Sequence, residues 1–269
     1  QRDNLTGVIY FCFEEGEEDG RGILAMLNQL SAHGVDVCWG IHVYAGLESG
    51  KICVSAGPRM AGAAGVGIKV IGRGGSRRDM SVNPVFCAAS ILTNTATAWV
   101  NQITAGRTVT LGVTSIQGGE APNVIPDTAD ILGSLRFFND EEGEKAVRIF
   151  KNVAEHTAAM NNCQVQFDDR FCVLCAPVIN DEYYSNLIST ALPEVLPENV
   201  TVSSCEPWYA SESFSCYRRI CPSVLAHLGI NNPSYGSGAA HHNGFFDVDE
   251  GVLSTGVIST LKFVAMLQK

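Results

Sequence analysis

The succession of hydrophobic periods between residues 66 and 175 leaves few folds open to this chain. VGIKVIGRGG alternates apolar and polar residues up to a glycine cluster, the pattern of a half-buried strand ending in a turn. Asn83-Pro84 then predicts a helix start, because proline is tolerated in the first helical turn. VFCAASILTNTATAWVNQI keeps the helical period. TVTLGVTSIQG and TADILGSLRFF alternate as two strands joined through GGEAPNVIPD. Asp140-Glu141-Glu142 predicts the start of a helix running to about Asn161, with acids at the positive end of the helix dipole. CQVQFDDRFCV closes the segment as another strand. The order is β-α-β-β-α-β, a ferredoxin-like split unit.

The flanks have a different character. Residues 5–13 (LTGVIYFCF) form an apolar run of strand length, and a helical pattern follows Gly20-Arg21-Gly22 through Ile23, Leu24, Met26, Leu27 and Leu30. VDVCWGIHV (35–43) reads as a second buried strand, so the start predicts a parallel α/β unit. Past residue 175, NDEYYSNLISTALPEVL predicts a helix, VTVSSCE and CPSVLAHLG two short strands, and DEGVLSTGVISTLKFVAMLQK a long amphipathic helix. The expected fold is an α/β domain (residues 1–65 and 176–269) interrupted by a smaller α+β domain (66–175).

A length of 269 residues, with 46% hydrophobic and 17% charged, is that of a globular chain of one or two domains and excludes disorder, coiled coil and collagen. The net charge of -10 argues against a general nucleic-acid or anionic-membrane binder. No apolar run approaches the ~20 residues that span a bilayer. Ten cysteines, mostly inside apolar runs, are too sparse for a disulfide scaffold and predict free thiols in a reducing cytoplasm. Cys172 and Cys175 have CxxC spacing, but a zinc ribbon needs a second such pair, so a strand with alternating cysteines is the expected reading.

Four places carry chemistry-bearing side chains. Glu14, Glu15, Glu17 and Glu18 follow the first expected strand, with Asp19 beside them; ligand sites of open α/β sheets lie at such strand ends. Crowded carboxylates repel unless a cation or proton neutralises them, although an exposed acidic turn would look the same. His42 lies on the next apolar run, where a satisfied core histidine is the plain alternative. His241 and His242 occupy a Gly/Ala-rich turn before the last helix. Asn123 lies in a turn of the inserted domain and Arg136 near the end of a strand; Arg can grip a carboxylate in bidentate fashion, or simply line a sheet surface.

In this order the residues resemble the N-acyl-amino-acid amidohydrolases, the family of aminoacylases, hippurate hydrolases and plant auxin-conjugate hydrolases among the co-catalytic metallopeptidases. The resembling segments are Phe13-Glu14-Glu15-Gly16-Glu17-Glu18, Gly40-Ile41-His42 with Gly50-Lys51-Ile52, Asn123-Val124-Ile125-Pro126 through Gly133-Ser134-Leu135-Arg136, Ser211-Glu212-Ser213-Phe214, and His242 through Glu250. The resemblance implies a metallopeptidase-type catalytic domain interrupted by a lid, or dimerisation, domain. It implies metal-dependent hydrolysis of the amide bond of N-acyl amino acids or small peptide-like substrates, with two divalent ions (Zn, Mn or Co). It implies Glu17 as the general base, Glu18, His42 and His242 as metal ligands, and Asn123 and Arg136 as substrate-binding residues. A homodimer is implied too, because in the family lid residues reach into the partner's site.

Two departures bear on activity. The family's first metal motif, a Cys-Gly-His-Asp type run ahead of the paired-Glu strand, has no counterpart in this sequence, so a processed, truncated or fragmentary chain is expected. The lid motif GxGGH reads Gly72-Arg73-Gly74-Gly75-Ser76, placing Ser76 where relatives carry an oxyanion-stabilising His. Ser76 keeps one hydrogen-bond donor without the imidazolium charge, and loss of an oxyanion donor costs about 10²–10³ in turnover. The motif's Asp is also replaced, by Ser213. A catalytically incomplete chain, binding or dimerising on the same fold, is the alternative expectation.

Overall fold

The structure, a computed structural model, describes residues 6–267. It divides into two compact units, one of Gln1–Met60, Val178–Trp208 and Glu212–Lys269, the other of Ala61–Pro177 and Tyr209–Ser211. The chain enters the first unit with α1 (Ile23–Ser31), β1 (Cys38–Glu48), β2 (Ile52–Cys53) and β3 (Gly57–Met60). It builds the second with β4 (Gly62–Ile71), α2 (Pro84–Gln102), β5 (Val109–Gln117), β6 (Thr128–Phe137), α3 (Asp140–Met160), β7 (Gln164–Phe167) and β8 (Val173–Cys175). It returns with β9 (Val178–Asn180), α4 (Glu182–Ala191), β10 (Thr201–Val202), β11 (Ser223–Asn231) and α5 (Leu253–Met266).

In the first unit the sheet order is β1-β11-β2-β10, and β1 runs parallel to β11 from Cys38↔Ser223 to Tyr44↔Gly229. Nearly every residue of β11 is buried, as expected for a strand covered on both faces. Ile52, Val54, Ile188, Leu192, Ala226 and Phe263 form the core between sheet and helices. Trp39 on β1 stacks on Phe263 of α5 at 4.6 Å and donates its indole N–H to Thr260 at 3.0 Å. Gly40 sits where a Cβ would stand 2.7 Å from the Phe214 ring, so only glycine lets the two approach.

The expected first strand is not there. Leu5 lies outside the described residues; residues 6–14 run without strand pairing, and Val8, Phe11 and Phe13 are exposed. A strand requires a ladder partner for its N–H and C=O groups. Among the described residues β1 pairs only with β11, and nothing joins its other edge. An apolar run has strand composition, but composition supplies no neighbour.

The second unit is the β-α-β-β-α-β arrangement. Its antiparallel sheet has the order β5-β6-β4-β7, with β8 also pairing β4. Both helices start at Asn caps: the Asn83 side chain accepts from the amides of Val85 and Phe86, and that of Asn139 from Glu142. Ile68, Ile91, Ile131, Phe150 and Phe171 fill the core between helices and sheet. The strand expected through CQVQFDDRFCV is broken in two, because Asp168 folds back to accept from the backbone and side chain of Arg170 at 2.8 and 2.9 Å. The unit begins at Ala61 rather than 66, since β4 is already paired and buried from Gly62 onward. No described helix is long and apolar enough to cross a membrane.

Candidate active site

The acidic segment is shaped by two glycines. Gly16 (φ 62°) and Gly20 (φ 64°) are left-handed and bracket a 3₁₀ turn over Glu17–Asp19. That turn brings Glu17 to the start of a second 3₁₀ helix, Ser213–Arg219, whose N-cap is Glu212. The Ser213 amide donates to Glu17 Oε1 at 3.1 Å, the Ser213 hydroxyl to Glu14 Oε2 at 2.8 Å, and the Phe214 amide to Glu212 Oε1 at 3.2 Å. Three carboxyl groups thus gather at one set of helix-start donors.

They cannot all be charged without compensation. Burial pushes the Glu212 carboxyl up to about 8, reinforced by a hydrogen bond shared with Glu17 and by the Glu17 charge. Burial likewise raises Glu14, offset in part by the Ser213 hydrogen bond, with the Glu17 charge adding to the rise. Glu14 Oε1 is buried without a hydrogen-bond partner. The arrangement favours a proton on Glu212 or invites a cation.

His42 is held in mid-strand on β1. Its Nδ1 lies 2.7 Å from the Val43 carbonyl; in the tautomer that donates there, Nε2 carries a free lone pair. That Nε2 is 3.7 Å from Glu212 Oε2, with side chains 28% and 13% exposed. His242 occupies a tight turn with φ 62°, a left-handed conformation unusual for a residue with a side chain. Its Nε2 lies 3.6 Å from Glu18 Oε1, on an open surface where both side chains are about three-quarters exposed. His241 is directed elsewhere: its Nε2 accepts the Ala45 amide at 3.4 Å, and its ring packs on Trp208 at 4.3 Å and Phe246 at 4.8 Å. Burial, with the nearby His42 and His242, lowers it to about 4, so it is neutral at pH 7.

The first unit therefore brings together Glu17 with Glu212, His42 with Glu212, and Glu18 with His242. Among the described residues no group of three or more His, Cys, Asp or Glu gathers closely enough to enclose a metal. Two ligands of one tetrahedral ion, each at ~2.0–2.1 Å, stand about 3.4 Å apart. The His42–Glu212 and Glu18–His242 pairs match that spacing, as two half-built sites of nitrogen and carboxylate donors. Sequence reasoning named Glu14 and His241 only as members of their clusters and gave Glu212 and Ser213 no role of their own. The available signal was Ser211-Glu212-Ser213-Phe214, whose Glu serves at once as helix cap and site carboxylate.

The candidate substrate residues lie in the second unit, at opposite ends of its sheet. Gly75 and Ile125 form an isolated bridge, N–H to C=O at 2.9 and 3.0 Å, so the exposed Ser76 and Asn123 share one loop cluster beyond the β4 end at Ile71. Arg136 pairs with Ala63 at the other end, and its Nη1 donates to the Ser211 hydroxyl at 3.4 Å. The register places Thr128 opposite Ile71, so about eight residues of β6, roughly 26 Å at ~3.3 Å per residue, separate Arg136 from that cluster.

Comparison with known proteins gives a consistent picture. Residues 61–161 match the peptidase dimerisation domain of the M20 family. Thermostable carboxypeptidase 2 of Saccharolobus solfataricus is 28% identical over 266 residues, covering 96% of this chain and 65% of that protein. N-acetylcysteine deacetylase of Bacillus subtilis is 28% identical, over 94% of this chain and 65% of its own. IAA-amino acid hydrolase ILR1-like 4 of Arabidopsis thaliana is 25% identical, over 94% and 58%. The chain thus spans about 58–65% of the length of these curated relatives. Among solved structures, a dinuclear metal-binding M20 peptidase from Bacillus subtilis superposes with a TM-score of 0.80 at 25% identity, covering 99% of this chain and 67% of that one. An aminobenzoyl-glutamate utilization protein from Klebsiella pneumoniae shares the fold, with a TM-score of 0.72 at 18% identity, over 99% and 63%. The resemblance drawn from the motifs is borne out, as is the α/β fold with its inserted dimerisation domain.

Proposed function

We propose that this chain, a homologue of the M20 amidohydrolases and peptidases, serves hydrolysis of the amide bond in N-acyl amino acids or small peptide-like substrates. The observation that carries the reading is the Glu17–Glu212 carboxyl pair, held beside a histidine whose Nε2 is free, at the spacing of two ligands of one ion. The names of the relatives, a carboxypeptidase, a deacetylase and an amino acid hydrolase, favour the same class of substrate.

Glu17 is the general base. It is half-buried, anchored by the Ser213 amide, and in hydrogen-bond contact with a second carboxyl group. Glu17 takes a proton from water and returns it to the leaving amine, beside the Glu212 carboxyl that burial raises to about 8. Glu18 and His242 would hold one divalent ion and His42 another, with Glu212 beside His42. The Val43 carbonyl fixes the His42 ring for that role. Such an ion supplies polarisation of the scissile carbonyl and a lower pKa for water. Nitrogen and carboxylate donors suit zinc, manganese and cobalt alike.

Arg136 and the Ser76–Asn123 cluster cannot grip one small substrate across roughly 26 Å. A homodimer through the dimerisation domain resolves this, one chain's Arg136 and another's Asn123 and Ser76 serving the same site. All ten cysteines are free thiols, which supports a reducing, cytoplasmic setting. The second reading, a chain that binds or dimerises without turnover, is favoured by the absence of a three-ligand group among the described residues.

The test is amine release from N-acetyl amino acids by the purified chain with zinc or manganese, alongside elemental analysis of bound metal. On the enzymatic reading, Glu17→Gln keeps its metal and loses about 10²–10⁴ in rate. Equal rates for the two proteins would remove Glu17 as the base. Near-zero metal with no turnover would select the second reading.

A further inference from the structure

Around β11 and β2 the first unit encloses a second group of reactive side chains. Cys53 ends β2 and lies opposite His227 in the β2–β11 ladder. Cys205 lies three residues past β10, whose Val202 is in register with Cys53. The two thiols meet at one guanidinium nitrogen. Arg59, at the centre of β3, reaches between them: its Nη1 donates to the Cys205 carbonyl at 3.0 Å and lies 3.5 Å from Cys205 Sγ and 4.0 Å from Cys53 Sγ. The Ser55 hydroxyl lies 3.4 Å from Cys53 Sγ, and His227 Nδ1 lies 3.6 Å from Cys205 Sγ.

The guanidinium sets the chemistry of this group. Arg59 is only 5% exposed, and its Nε is buried without a partner. Among the described residues no carboxylate forms an ion pair with it. Arginine stays charged in any protein environment, and a buried charge left uncompensated is strongly destabilising. Among the described residues, the ionisable groups that its Nη1 touches are the two sulfurs. One proton shared between two thiols leaves one negative charge on the pair, which answers the guanidinium. Shared in this way, the pair titrates as a unit. In that unit Cys53 is driven well below the ordinary thiol range, chiefly by the hydrogen bond from Cys205, while Cys205 is driven up.

We propose that Cys53 and Cys205 are a thiolate–thiol pair, held by Arg59, that reacts with hydroperoxides and closes into a disulfide. Cys53 is fully buried and Cys205 half-buried, so Cys205 is the sulfur a peroxide reaches. The shared proton passes to Cys53 as Cys205 attacks. The Cys205 sulfur bonds to the near peroxide oxygen, the O–O bond breaks, and the departing oxygen leaves as water with the proton available at the pair. Cys53 then attacks the sulfenic sulfur, the S–O bond breaks, and the second oxygen leaves as hydroxide, which takes its proton from solvent. One thiolate and one thiol are oxidised to one disulfide, and one peroxide is reduced to one water and one hydroxide, the hydroxide being protonated by solvent. The sulfurs, both in contact with one guanidinium nitrogen, close to ~2.0 Å in the bond.

The experiment uses the reduced full chain, freed of reductant and exposed to one equivalent of hydrogen peroxide. Remaining thiols are blocked with N-ethylmaleimide, and the sites are mapped by mass spectrometry without reduction. The expected result is a Cys53–Cys205 linked peptide that forms at least tenfold faster than oxidation at the exposed Cys172. Arg59→Gln should remove most of that advantage, and Cys53→Ser should leave Cys205 as a sulfenic acid trappable by dimedone. Should either variant fail to fold, the wild-type map decides alone. Oxidation at Cys172 ahead of the pair, or Cys205 carried to sulfinic acid with Cys53 still free, would overturn the proposal.

Discussion

His227 is a fully buried titratable group of the first unit, and its burial has a measurable consequence. The ring is 0% exposed in the middle of β11, with Nδ1 on Cys205 and Nε2 without a partner. Tyr44 from β1 packs on it at 4.8 Å, Arg59 from β3 adds a positive charge, and His42 and His241 lie on the same side. Burial first, then these positive charges, lower its pKa to about 3. An unfolded histidine titrates near 6.5. Between the two values the unfolded chain binds a proton that the native chain refuses, so stability is complete above about 6.5 and falls as pH drops toward 3. The slope reaches about 1.4 kcal/mol per pH unit, and between pH 7 and 4.5 the loss amounts to about 2.5 kcal/mol. His227→Leu removes the titration while losing one hydrogen bond, a cost of about 1 kcal/mol that does not depend on pH. Urea unfolding of both proteins at pH 7 and 4.5 measures the difference directly. The wild type should lose about 2.5 kcal/mol more than the variant over that interval. If both lose the same amount, His227 is not held neutral and the reasoning from burial fails.

Other outcomes follow from the packing and the site. Zinc at a hundred times its dissociation constant should stabilise the chain by about 2.7 kcal/mol, read as a rise in unfolding midpoint. His42→Ala or Glu18→Ala should shrink that rise, and a full effect in both variants would exclude these ligands. Phe150→Ala, at a fully buried position of the second unit, should cost about 3–5 kcal/mol in chemical denaturation; a cost under 1 kcal/mol would mean the helix–sheet interface is not packed as described. Arg136→Ala should raise KM for free-acid substrates and leave amidated analogues unaffected, because a guanidinium–carboxylate grip is lost only where a carboxylate is present. Equal effects on both would take Arg136 out of carboxylate recognition.

The inserted domain was legible because each boundary carries its own local chemistry. Asn83 with Pro84, and Asn139 with its following acids, start helices by capping that needs no distant partner. The run ahead of Glu14 was misread for the opposite reason: strand identity there depends on a neighbour supplied from elsewhere, which composition does not encode. The site was half legible. Glu17, Glu18, His42 and His242 announce themselves by residue type, and the structure pairs each with another site residue. Glu212 is 195 positions from Glu17 in the chain, and only the fold discloses that both carboxyls meet the same helix start. Asn123 and Arg136 both read as substrate-binding residues, and the β4–β6 register separates them along the sheet.

The left-handed backbone at His242 means that affinity at this turn is already taxed before any ligand arrives. Holding a residue with a Cβ at φ 62° costs about 1–2 kcal/mol, close to a tenfold factor in an equilibrium constant. An occupant of the Glu18–His242 pair would lock the strained form in place; without one, the turn stores that energy as a bias toward opening. Amide exchange at Asn243 and Phe246, whose N–H groups close the turn on Ala240 and Asn243, is where loading of the site should first be felt as slowed opening.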